Sequence, residues 1–486
     1  MMGRLNAMIF GALCGFMLPS FILCLCDKDG QAALAFGISI ALTGVLALIL
    51  AILCRGASVK FYAREGLICV GICWLGMSLL GALPFRLSGC FDSYIDALFE
   101  IASGFSTTGA SVLSDVECLP RGILFWRSFS HWVGGMGVLI FLLAIVPISG
   151  KNQGFTLHLM RAESPGPDVG KLVPKMRSTA AILYICYLVL TVLNVVFLLI
   201  GGMSFFEALC TAFGTAGTGG FGLKNDSIGG YSPYIQVVTT VFMLLFGVNF
   251  SCYFLIAFGK FRAVLKDEEL RAYGIIVLGS TLAIALRNLF GAGAVYGTFG
   301  ESLRHAAFQV GSIMTTTGFS TADFDLWPTF SKAILALLML IGASAGSTGG
   351  GFKVSRFLLI LKGARRNLSR VLHPDRVKSI RLCGKPVDEK VLSNTNGYLA
   401  AYLAILIVSF LIVSFDRAVS DMTTSMTACI ACFNNIGPGF SGVGPTRNFG
   451  DFSVVSKLVL IFDMLAGRLE IFPMLVLLSP AAWRRA

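Results

Sequence analysis

Long apolar runs alternate with shorter polar stretches along the whole chain. Ten of these runs are long enough to cross the roughly 30 Å hydrocarbon core of a membrane as a helix. They cover approximately residues 7–26, 33–54, 65–86, 123–147, 178–201, 231–258, 272–290, 329–361, 397–416 and 453–479. An even number of crossings places both termini on one side of the membrane. The pattern therefore predicts an all-α polytopic membrane protein.

Four shorter apolar segments lie in the connections between these runs, at residues 94–106, 204–214, 302–314 and 420–433. Each contains about a dozen residues, too few to cross a bilayer, and is typical of a helix that enters the membrane and turns back. Each leads into a stretch rich in glycine and in threonine, serine or asparagine. These stretches read STTGAS (106–111), GTGGFG (217–222), TTTGFS (315–320) and NNIGPGF (434–440). A similar motif thus follows every re-entrant helix.

One glycine in each stretch marks a repeat of about 100 to 120 residues, namely Gly109, Gly220, Gly318 and Gly437. Each unit consists of a long helix, a re-entrant helix, a glycine loop and a second long helix. All four loops fall on the cation-poor side, so the units are predicted to be parallel rather than inverted. The predicted domains are an N-terminal two-helix hairpin (1–60) and four pore repeats around a central pore (61–150, 151–262, 263–390 and 391–486).

Composition excludes a soluble globular protein of this length, because 56% of the 486 residues are hydrophobic and only 13% are charged. The basic residues behind the net charge of +12 cluster in alternate loops, at residues 55–64, 151–177, 260–271 and 353–390. The positive-inside rule places these loops, and with them both termini, in the cytoplasm. Because that rule accounts for the basic excess, no nucleic-acid partner is predicted.

The glycine loops have a physical explanation if they lie inside the membrane. Non-helical backbone is tolerated there only where protein buries it or where it lines a water-filled cavity. Four loops that converge on one axis surround a passage with carbonyl oxygens, which replace the hydration shell of a monovalent cation. Glycine permits the backbone angles that turn successive carbonyls inward. One such motif alone is equally consistent with a close helix-packing turn, but four in register favour a pore.

On these motifs the sequence resembles a known family, the Trk/Ktr/HKT potassium-uptake proteins, and within it the bacterial TrkH/TrkG branch. The resemblance covers nearly the whole chain, because it also rests on AESPGP (162–167), ASAGSTGGGFKVSR (343–356) and AGRLEIFP (466–473). It implies four linked pore units that resemble a tetrameric potassium channel, and a homodimer with one pore in each subunit. It also implies a bacterial inner-membrane location, K⁺ as the transported ion and no organic cofactor on this chain.

The resemblance further implies which residues form the selectivity filter. In family members each loop carries one key glycine, and these match the four glycines that mark the repeats. The implied filter is Ser106, Thr107, Thr108 and Gly109; Gly217, Thr218, Gly219 and Gly220; Thr315, Thr316, Thr317 and Gly318; and Asn434, Asn435, Ile436 and Gly437. The fourth loop departs most from the pattern, since Pro438 follows its glycine.

A glycine-rich segment at 342–351 interrupts the apolar run at 329–361. Continuous helix there costs about 1 kcal/mol for each glycine relative to alanine, so a break is predicted. A phosphate-binding loop is disfavoured, because Phe352 separates the last glycine from Lys353 and no strand precedes it. Close helix packing is the ordinary alternative. By resemblance the segment is a mobile loop that obstructs the pore, with Gly346, Gly349, Gly350 and Gly351 as gate residues.

Arg468 is predicted to lie in the middle of a spanning helix. A charge at that depth costs at least about 2.5–3.5 kcal/mol and normally faces a cavity or a partner. Glu470 is two residues away and does not share its helical face, so the two charges are expected to have different partners. A structural ion pair is one interpretation of Arg468. The resemblance implies another, in which its cation lies beside the pore and raises a barrier to potassium.

The sequence therefore predicts a potassium-uptake subunit, passive or ion-coupled, in contact with membrane lipid. In the TrkH branch the basic cytoplasmic segments, above all 353–390, dock a nucleotide-binding ring (TrkA) that controls the gate, although topology alone also explains them. The alternative function is a sodium-coupled solute symporter with broken helices, which requires inverted repeats. An enzyme is not predicted, because the four histidines are scattered and no catalytic cluster is evident. They are His131, His158, His305 and His373.

Overall fold

The computed structural model describes residues 2–55, 63–135, 137, 176–291, 293–373, 379–419 and 421–483. Helices make up nearly all the regular structure of these ranges. Their only strands are β1 (Arg381–Leu382) and β2 (Lys385–Pro386), which pair as a small antiparallel hairpin. The predicted all-α class is confirmed. The motif at 162–167 and His158 lie outside the described residues.

Two long helices, α1 (Met2–Cys26) and α2 (Gly30–Leu53), pack together as the predicted N-terminal hairpin. Four successive groups of elements follow, each with an outer helix, a pore helix, a glycine loop and an inner helix. The glycine loops are those that the sequence predicts to form a filter, and they are called filter loops for that reason. The outer helices are α3 (Ala63–Gly81) with its continuation α4 (Leu83–Leu87), α7 (Met176–Ile200), α12 (Glu268–Leu289) and α16 (Glu389–Val413). The pore helices are α5 (Tyr94–Phe105), α8 (Phe205–Gly217), α13 (Phe299–Met314) and α17 (Met422–Phe433).

The inner helices are divided wherever their full course is described. They are α6 (Arg121–Gly135), the pair α9 (Pro233–Phe246) and α10 (Phe250–Ala257), the pair α14 (Thr329–Ile341) and α15 (Val354–Leu372), and the pair α18 (Val454–Arg468) and α19 (Phe472–Leu478). Two short α-helices, α11 (Phe261–Leu265) and α20 (Pro480–Trp483), and two 3₁₀ helices, Phe324–Leu326 and Ser441–Val443, complete the described fold.

The pore helices lie where the apolar segments predict them, and their starts have a clear local cause. Each begins directly after a capping residue, Ser93, Ser204, Thr298 or Asp421, whose side-chain oxygen accepts a backbone N–H of the first turn. Such caps satisfy N–H groups that a helix leaves without an internal partner. The opposite ends lead into the filter loops, so the partial negative charge of each helix C-terminus lies next to them.

Two predicted spans are not the continuous helices that hydropathy suggested. The run at 231–258 bends by 90° between α9 and α10. The bend follows Gly247, and Asn249 caps the new helix by accepting the N–H of Ser251 at 2.9 Å. The run at 453–479 ends as helix at Arg468 and resumes at Phe472. By contrast, the break predicted in the third inner helix is present, between Ile341 and Val354.

Helix breaks and the limits of the described ranges together account for the difference between the ten predicted crossings and the spans found. Within the described ranges six helices are long and apolar enough to cross a membrane, and the bent pair makes a seventh. The other three predicted runs are 123–147, whose second half lies outside the described residues, and the divided runs 329–361 and 453–479. Large apolar side chains are exposed along the outer helices and the hairpin, such as Leu34, Ile185 and Ile275, as lipid-facing surfaces require.

Candidate ion pathway

The four filter loops share one backbone conformation. Two residues before each marker glycine, the backbone has a left-handed φ. The values are 58° for Thr107, 54° for Thr218, 59° for Thr316 and 56° for Asn435. The marker glycines Gly109, Gly220, Gly318 and Gly437 have φ values of 81°, 76°, 85° and 95°. Left-handed residues therefore alternate with residues that are not left-handed. This is the kind of backbone that only glycine adopts without strain, and non-glycine residues adopt it rarely.

Each loop is fixed to the end of its pore helix by the same hydrogen bond. The backbone N–H of the residue before the marker glycine donates to the carbonyl five residues earlier in the chain. These pairs are Thr108 to Ser103 (2.9 Å), Gly219 to Gly214 (2.8 Å), Thr317 to Ser312 (2.8 Å) and Ile436 to Ala431 (2.9 Å). A bond of this span closes a helix that ends in a left-handed residue. The four loops therefore leave their helices in the same way.

The marker glycines join the loops into a closed ring. A Cβ atom on Gly109 would lie 1.9 Å from the carbonyl oxygen of Gly219, and a Cβ on Gly220 would lie 2.0 Å from that of Thr317. The same contact continues from Gly318 to the carbonyl of Ile436 (2.2 Å) and from Gly437 to that of Thr108 (2.8 Å). The contacts thus run from loop one to two, three, four and back to one. The carbonyls leave no room there for a side chain.

Most polar side chains of the loops are buried and serve as anchors. The hydroxyls of Ser106 and Thr108 lie 2.7 Å apart, and those of Thr315 and Thr317 are also 2.7 Å apart. In the fourth loop the Asn434 amide nitrogen donates to the Tyr402 hydroxyl at 2.8 Å. These bonds occupy the side chains with one another and with the surrounding helices. These side chains therefore brace the backbone of the loops.

A cavity of about 200 Å³ opens on one side of the ring and is lined by all four marker glycines. Arg127 of α6 also lines it. Its Nε donates to the Glu100 carboxylate at 2.6 Å, and the two side chains are 4% and 0% exposed. Glu100 also accepts the N–H of Val112 at 3.0 Å, and Arg127 donates to the Gly222 carbonyl at 3.0 Å. This buried pair connects the exits of the first and second loops.

Sequence reasoning missed the Glu100–Arg127 pair. Its signal was available, because Glu100 is a charged residue inside a short apolar helix, and charges at that depth normally have a partner. What the sequence did not provide is the partner's identity. Arg127 lies 27 residues away in another helix.

The glycine-rich segment lies against the other side of the ring. The N–H of Gly350 donates to the Thr316 hydroxyl at 2.6 Å. A Cβ on Gly350 would lie 2.5 Å from the Asn434 carbonyl oxygen, and one on Gly349 would lie 2.8 Å from that of Thr315. The segment therefore covers the ends of the third and fourth loops that are farther from the cavity.

The bend in the second inner helix holds this segment in place. Helix breaks release backbone groups that a continuous helix uses internally, and here the segment binds them. The Phe250 N–H donates to the Gly346 carbonyl at 3.0 Å, and the Ser344 N–H donates to the Gly247 carbonyl at 3.2 Å. Gly346 itself has a left-handed φ of 67°, and Gly351 one of 78°. The unpredicted bend is thus part of the same site.

Arg468 is the last residue of α18 and does not lie mid-helix as predicted. The helix stops there because Glu470 and Ile471 adopt left-handed φ values of 58° and 66°. The position suits a cation, since a helix C-terminus carries partial negative charge. Its guanidinium donates to the Thr348 carbonyl at 2.8 Å and to the carbonyls of two glycines at the end of α6, Gly134 and Gly135.

Glu470 has a different partner, as expected from its spacing. It forms an ion pair with Arg356 of α15, and the Arg356 guanidinium also lies 3.9 Å from the centre of the Tyr398 ring. The two charged residues of the AGRLEIFP motif therefore bind two different parts of the chain. Arg468 contacts the glycine-rich segment, and Glu470 holds the helix that follows that segment.

Comparison of the first and fourth inner helices shows that Arg468 stands where the first helix has a glycine. In the first repeat, a Cβ atom on Gly134 would lie 1.9 Å from the carbonyl oxygen of Phe105, the last residue of the pore helix. In the fourth repeat, a Cβ atom on Gly467 would lie 1.9 Å from the carbonyl oxygen of Phe433, again the last residue of the pore helix. These two glycines are therefore equivalent positions in the first and fourth inner helices. The next residue is Gly135 in one and Arg468 in the other. Gly135 itself leaves no room for a side chain, since its Cβ would lie 2.7 Å from the Gly217 Cα and 2.7 Å from the Tyr187 hydroxyl.

Comparison with known proteins gives consistent matches over nearly the whole chain. The family model TrkH, described as a cation transport protein, matches residues 31–484. The Trk system potassium uptake protein TrkH of Escherichia coli K12 is 38% identical over 430 residues, covering 87% of this chain and 86% of that protein. TrkH of Halomonas elongata is 34% identical over 474 residues, with 96% of both covered. The crystal structure of the potassium transporter TrkH from Vibrio parahaemolyticus superposes with a TM-score of 0.87 at 32% identity, covering 99% of both chains.

Proposed function

This chain belongs to the TrkH family of cation transport proteins, and we propose that it is the membrane subunit of a bacterial potassium-uptake system. The relatives that it matches are named as Trk system potassium uptake proteins. The observation that carries the proposal for this chain is the closed ring of four loops, in which each marker glycine packs on a carbonyl of the next loop. Transport is inward, toward the side of the basic loops.

K⁺ is the substrate and crosses the ring without its water shell. The ligands are the backbone carbonyls of the sixteen filter residues, four from each loop. Buried side-chain bonds such as Ser106–Thr108 and Thr315–Thr317 hold these carbonyls in place. A rigid ring favours the ion whose size matches it, so the smaller Na⁺ is coordinated less well. No carboxylate lies within the four motifs, which suits a filter for a weakly held monovalent ion.

The glycine-rich segment and Arg468 form the gate. In the present conformation the segment covers the third and fourth loops, so it has to move before ions leave the filter on that side. Gly346, Gly349, Gly350 and Gly351 give it the freedom to do so. Arg468 places a positive charge next to the segment and opposes the passage of K⁺. Its bonds to Thr348, Gly134 and Gly135 also stabilise the closed arrangement.

The gate is controlled from the cytoplasm. Helix α15 begins at the end of the glycine-rich segment and carries basic residues of the 353–390 stretch, among them Arg365 and Arg370. A nucleotide-binding ring of the TrkA type docks on these cations and pulls or releases the segment through α15. The subunit works as a homodimer in the lipid of the inner membrane, with both termini in the cytoplasm.

A sodium-coupled symporter with broken helices fits this arrangement less well. The bend between α9 and α10 is a feature that such transporters share. Their repeats are inverted, however, whereas the four loops here share one backbone conformation and one direction of contact around the ring.

Ion flux into liposomes that contain the purified protein tests the proposal. We expect uptake of K⁺ and Rb⁺ down their gradients, much weaker uptake of Na⁺, and growth of a potassium-uptake-deficient bacterium at low K⁺. Empty liposomes are the control, and valinomycin added at the end reports the intact gradient. Absence of K⁺ and Rb⁺ flux from folded protein, together with rescue of growth only by an organic nutrient, would favour the symporter.

A further inference from the structure

The second filter loop lacks side chains at two positions where the other three loops have them, although its Thr218 hydroxyl donates to the Gly217 carbonyl at 2.6 Å. Loops one and three carry hydroxyl pairs, Ser106–Thr108 and Thr315–Thr317, and loop four carries Asn434 and Ile436 at the matching positions. Loop two has glycine at both, Gly217 and Gly219. Neither has a left-handed φ, so backbone conformation does not require glycine there. Another cause must keep these two positions small.

That cause is His131, on the inner helix α6 of the first repeat. A Cβ atom on Gly217 would lie 2.2 Å from the His131 carbonyl oxygen. A Cβ on Gly219 would lie 2.1 Å from its ring nitrogen Nδ1. The imidazole thus fills the space that the side chain of residue 219 would need. It is fully buried.

The imidazole also bonds to the groups on either side of it. Its Nδ1 lies 2.9 Å from the Gly104 carbonyl oxygen, in the pore helix of the first repeat. The Phe221 N–H, directly after the second marker glycine, donates to Nε2 at 3.3 Å. An amide can donate only to an unprotonated ring nitrogen, so the ring is neutral, with its proton on Nδ1. His131 therefore ties the exit of loop two to the pore helix of loop one.

In the described ranges of the other three inner helices, the matching residue does not form this connection. Ten residues after its first residue, each inner helix carries a buried side chain: His131 after Arg121, Met243 after Pro233, Met339 after Thr329 and Met464 after Val454. Methionine fills space adaptably but forms no comparable hydrogen bonds. Of these four equivalent positions, only the one that contacts the second filter loop, with its glycines at 217 and 219, is a histidine.

We propose that His131 is a positioning residue for ion selectivity, which holds the second filter loop at the width that distinguishes K⁺ from Na⁺. It performs from a neighbouring repeat the task that the hydroxyl pairs perform within loops one and three. The inference rests on the proposed function, because it assigns a role within the same filter. His131 touches the loop backbone and not the ion.

The first test replaces His131 with the residue of the other three repeats. His131→Met keeps the volume and removes both hydrogen bonds. We expect the K⁺/Na⁺ flux ratio in liposomes to fall about tenfold or more, because two hydrogen bonds of ordinary strength are lost, while K⁺ flux persists. His131→Gln, which can still donate and accept, should retain most of the ratio. Met243→Leu is the matched control and should leave it unchanged.

The second test uses the steric contact with Gly219. Gly219→Ala alone should lower the flux ratio, because its Cβ meets the imidazole. Adding His131→Ala removes the ring and should restore part of the ratio lost, a coupling that two independent defects do not produce. Gly311→Ala in a pore helix is the control, since its Cβ would meet only ordinary contacts at 3.7 Å.

The outcomes separate this inference from the proposed function. Wild-type protein without K⁺ flux would overturn the proposed function itself. Wild-type selectivity in a conducting His131→Met variant would overturn only the role of His131. If His131→Met is not recovered folded, the Gly219 pair decides: a double variant no better than Gly219→Ala overturns the inference, and a partial recovery supports it.

Discussion

The Asn435 amide nitrogen lies 3.0 Å from the Thr108 hydroxyl oxygen, across 327 positions of sequence. The same nitrogen donates to the Met464 carbonyl at 2.8 Å. Asn435 thus joins the fourth filter loop both to its own inner helix and to the first loop. This is where the ring closes between the beginning and the end of the chain.

Breaking that connection should reduce selectivity. Asn435→Leu and Thr108→Val each remove the bond, and we expect each to lower the K⁺/Na⁺ flux ratio severalfold, as loss of about 1 kcal/mol implies. Both changes remove this shared contact, and each also removes one of its own, the Asn435–Met464 or the Ser106–Thr108 bond. The loss in the double variant should therefore be smaller than the sum of the two single losses. Fluxes in liposomes provide the measurement. Fully additive effects would show that the bond does not couple the loops.

Substitution of a marker glycine should spoil the ring. Gly318→Ala and Gly109→Ala each place a methyl group about 2 Å from a carbonyl of the next loop and require a left-handed φ of 85° or 81°. Strain of this kind costs about 1–3 kcal/mol, so we expect loss of discrimination between K⁺ and Na⁺. Gly274→Ala, in open space on α12, is the control. Variants that select K⁺ as well as wild type does would contradict the carbonyl filter.

Removal of the Arg468 side chain should raise the rate of flux. Arg468→Ala eliminates the positive charge and its bonds to the Thr348, Gly134 and Gly135 carbonyls. We expect faster K⁺ flux, severalfold or more, with selectivity retained, because the filter loops are untouched. Arg468→Lys keeps the charge but not the hydrogen-bonding pattern. Its K⁺ flux should lie between those of wild type and Arg468→Ala. An unchanged or slower rate in folded Arg468→Ala protein would refute the barrier.

The carboxylate of Asp416, which follows the end of α16, should make the stability of the folded protein depend on pH in the acid range. Partial burial raises its pKa, but hydrogen bonds from Ser456, Ser453 and backbone amides outweigh burial and lower the pKa to about 2, from 3.8. The stabilisation is therefore complete above about pH 4 and is lost as the pH falls toward 2. Melting temperatures across this range should show a difference between wild type and Asp416→Asn that narrows on acidification. A constant difference would exclude this role.

The sequence predicted the parts of this fold that local chemistry determines. Pore helices follow capping residues such as Ser93 and Asp421 and match the apolar segments within a few residues. The glycine-rich break in the third inner helix was predictable for the same reason, since glycine disfavours helix. Hydropathy did not predict the breaks after Phe246 and Arg468, because apolar residues continue through both.

Contacts between distant segments were not predictable from one sequence. Glu100 and Arg127 each resembled an isolated charge, and His131 was one of four scattered histidines. Their meaning depends on α6 packing between the first and second filter loops, which no spacing along the chain reveals. The filter motifs were recognisable only because they occur four times.

A channel assembled from four identical chains has the same residue in all four quarters. Here one polypeptide encodes every quarter separately, so mutation has been able to change one side alone. A fourfold-symmetric version of Arg468 would crowd four repelling cations into the exit and close it permanently. In the proposed gate, a single copy gives a modest barrier that movement of one segment can relieve. Because the four repeats belong to one polypeptide, a single repeat can carry a residue that the other three lack.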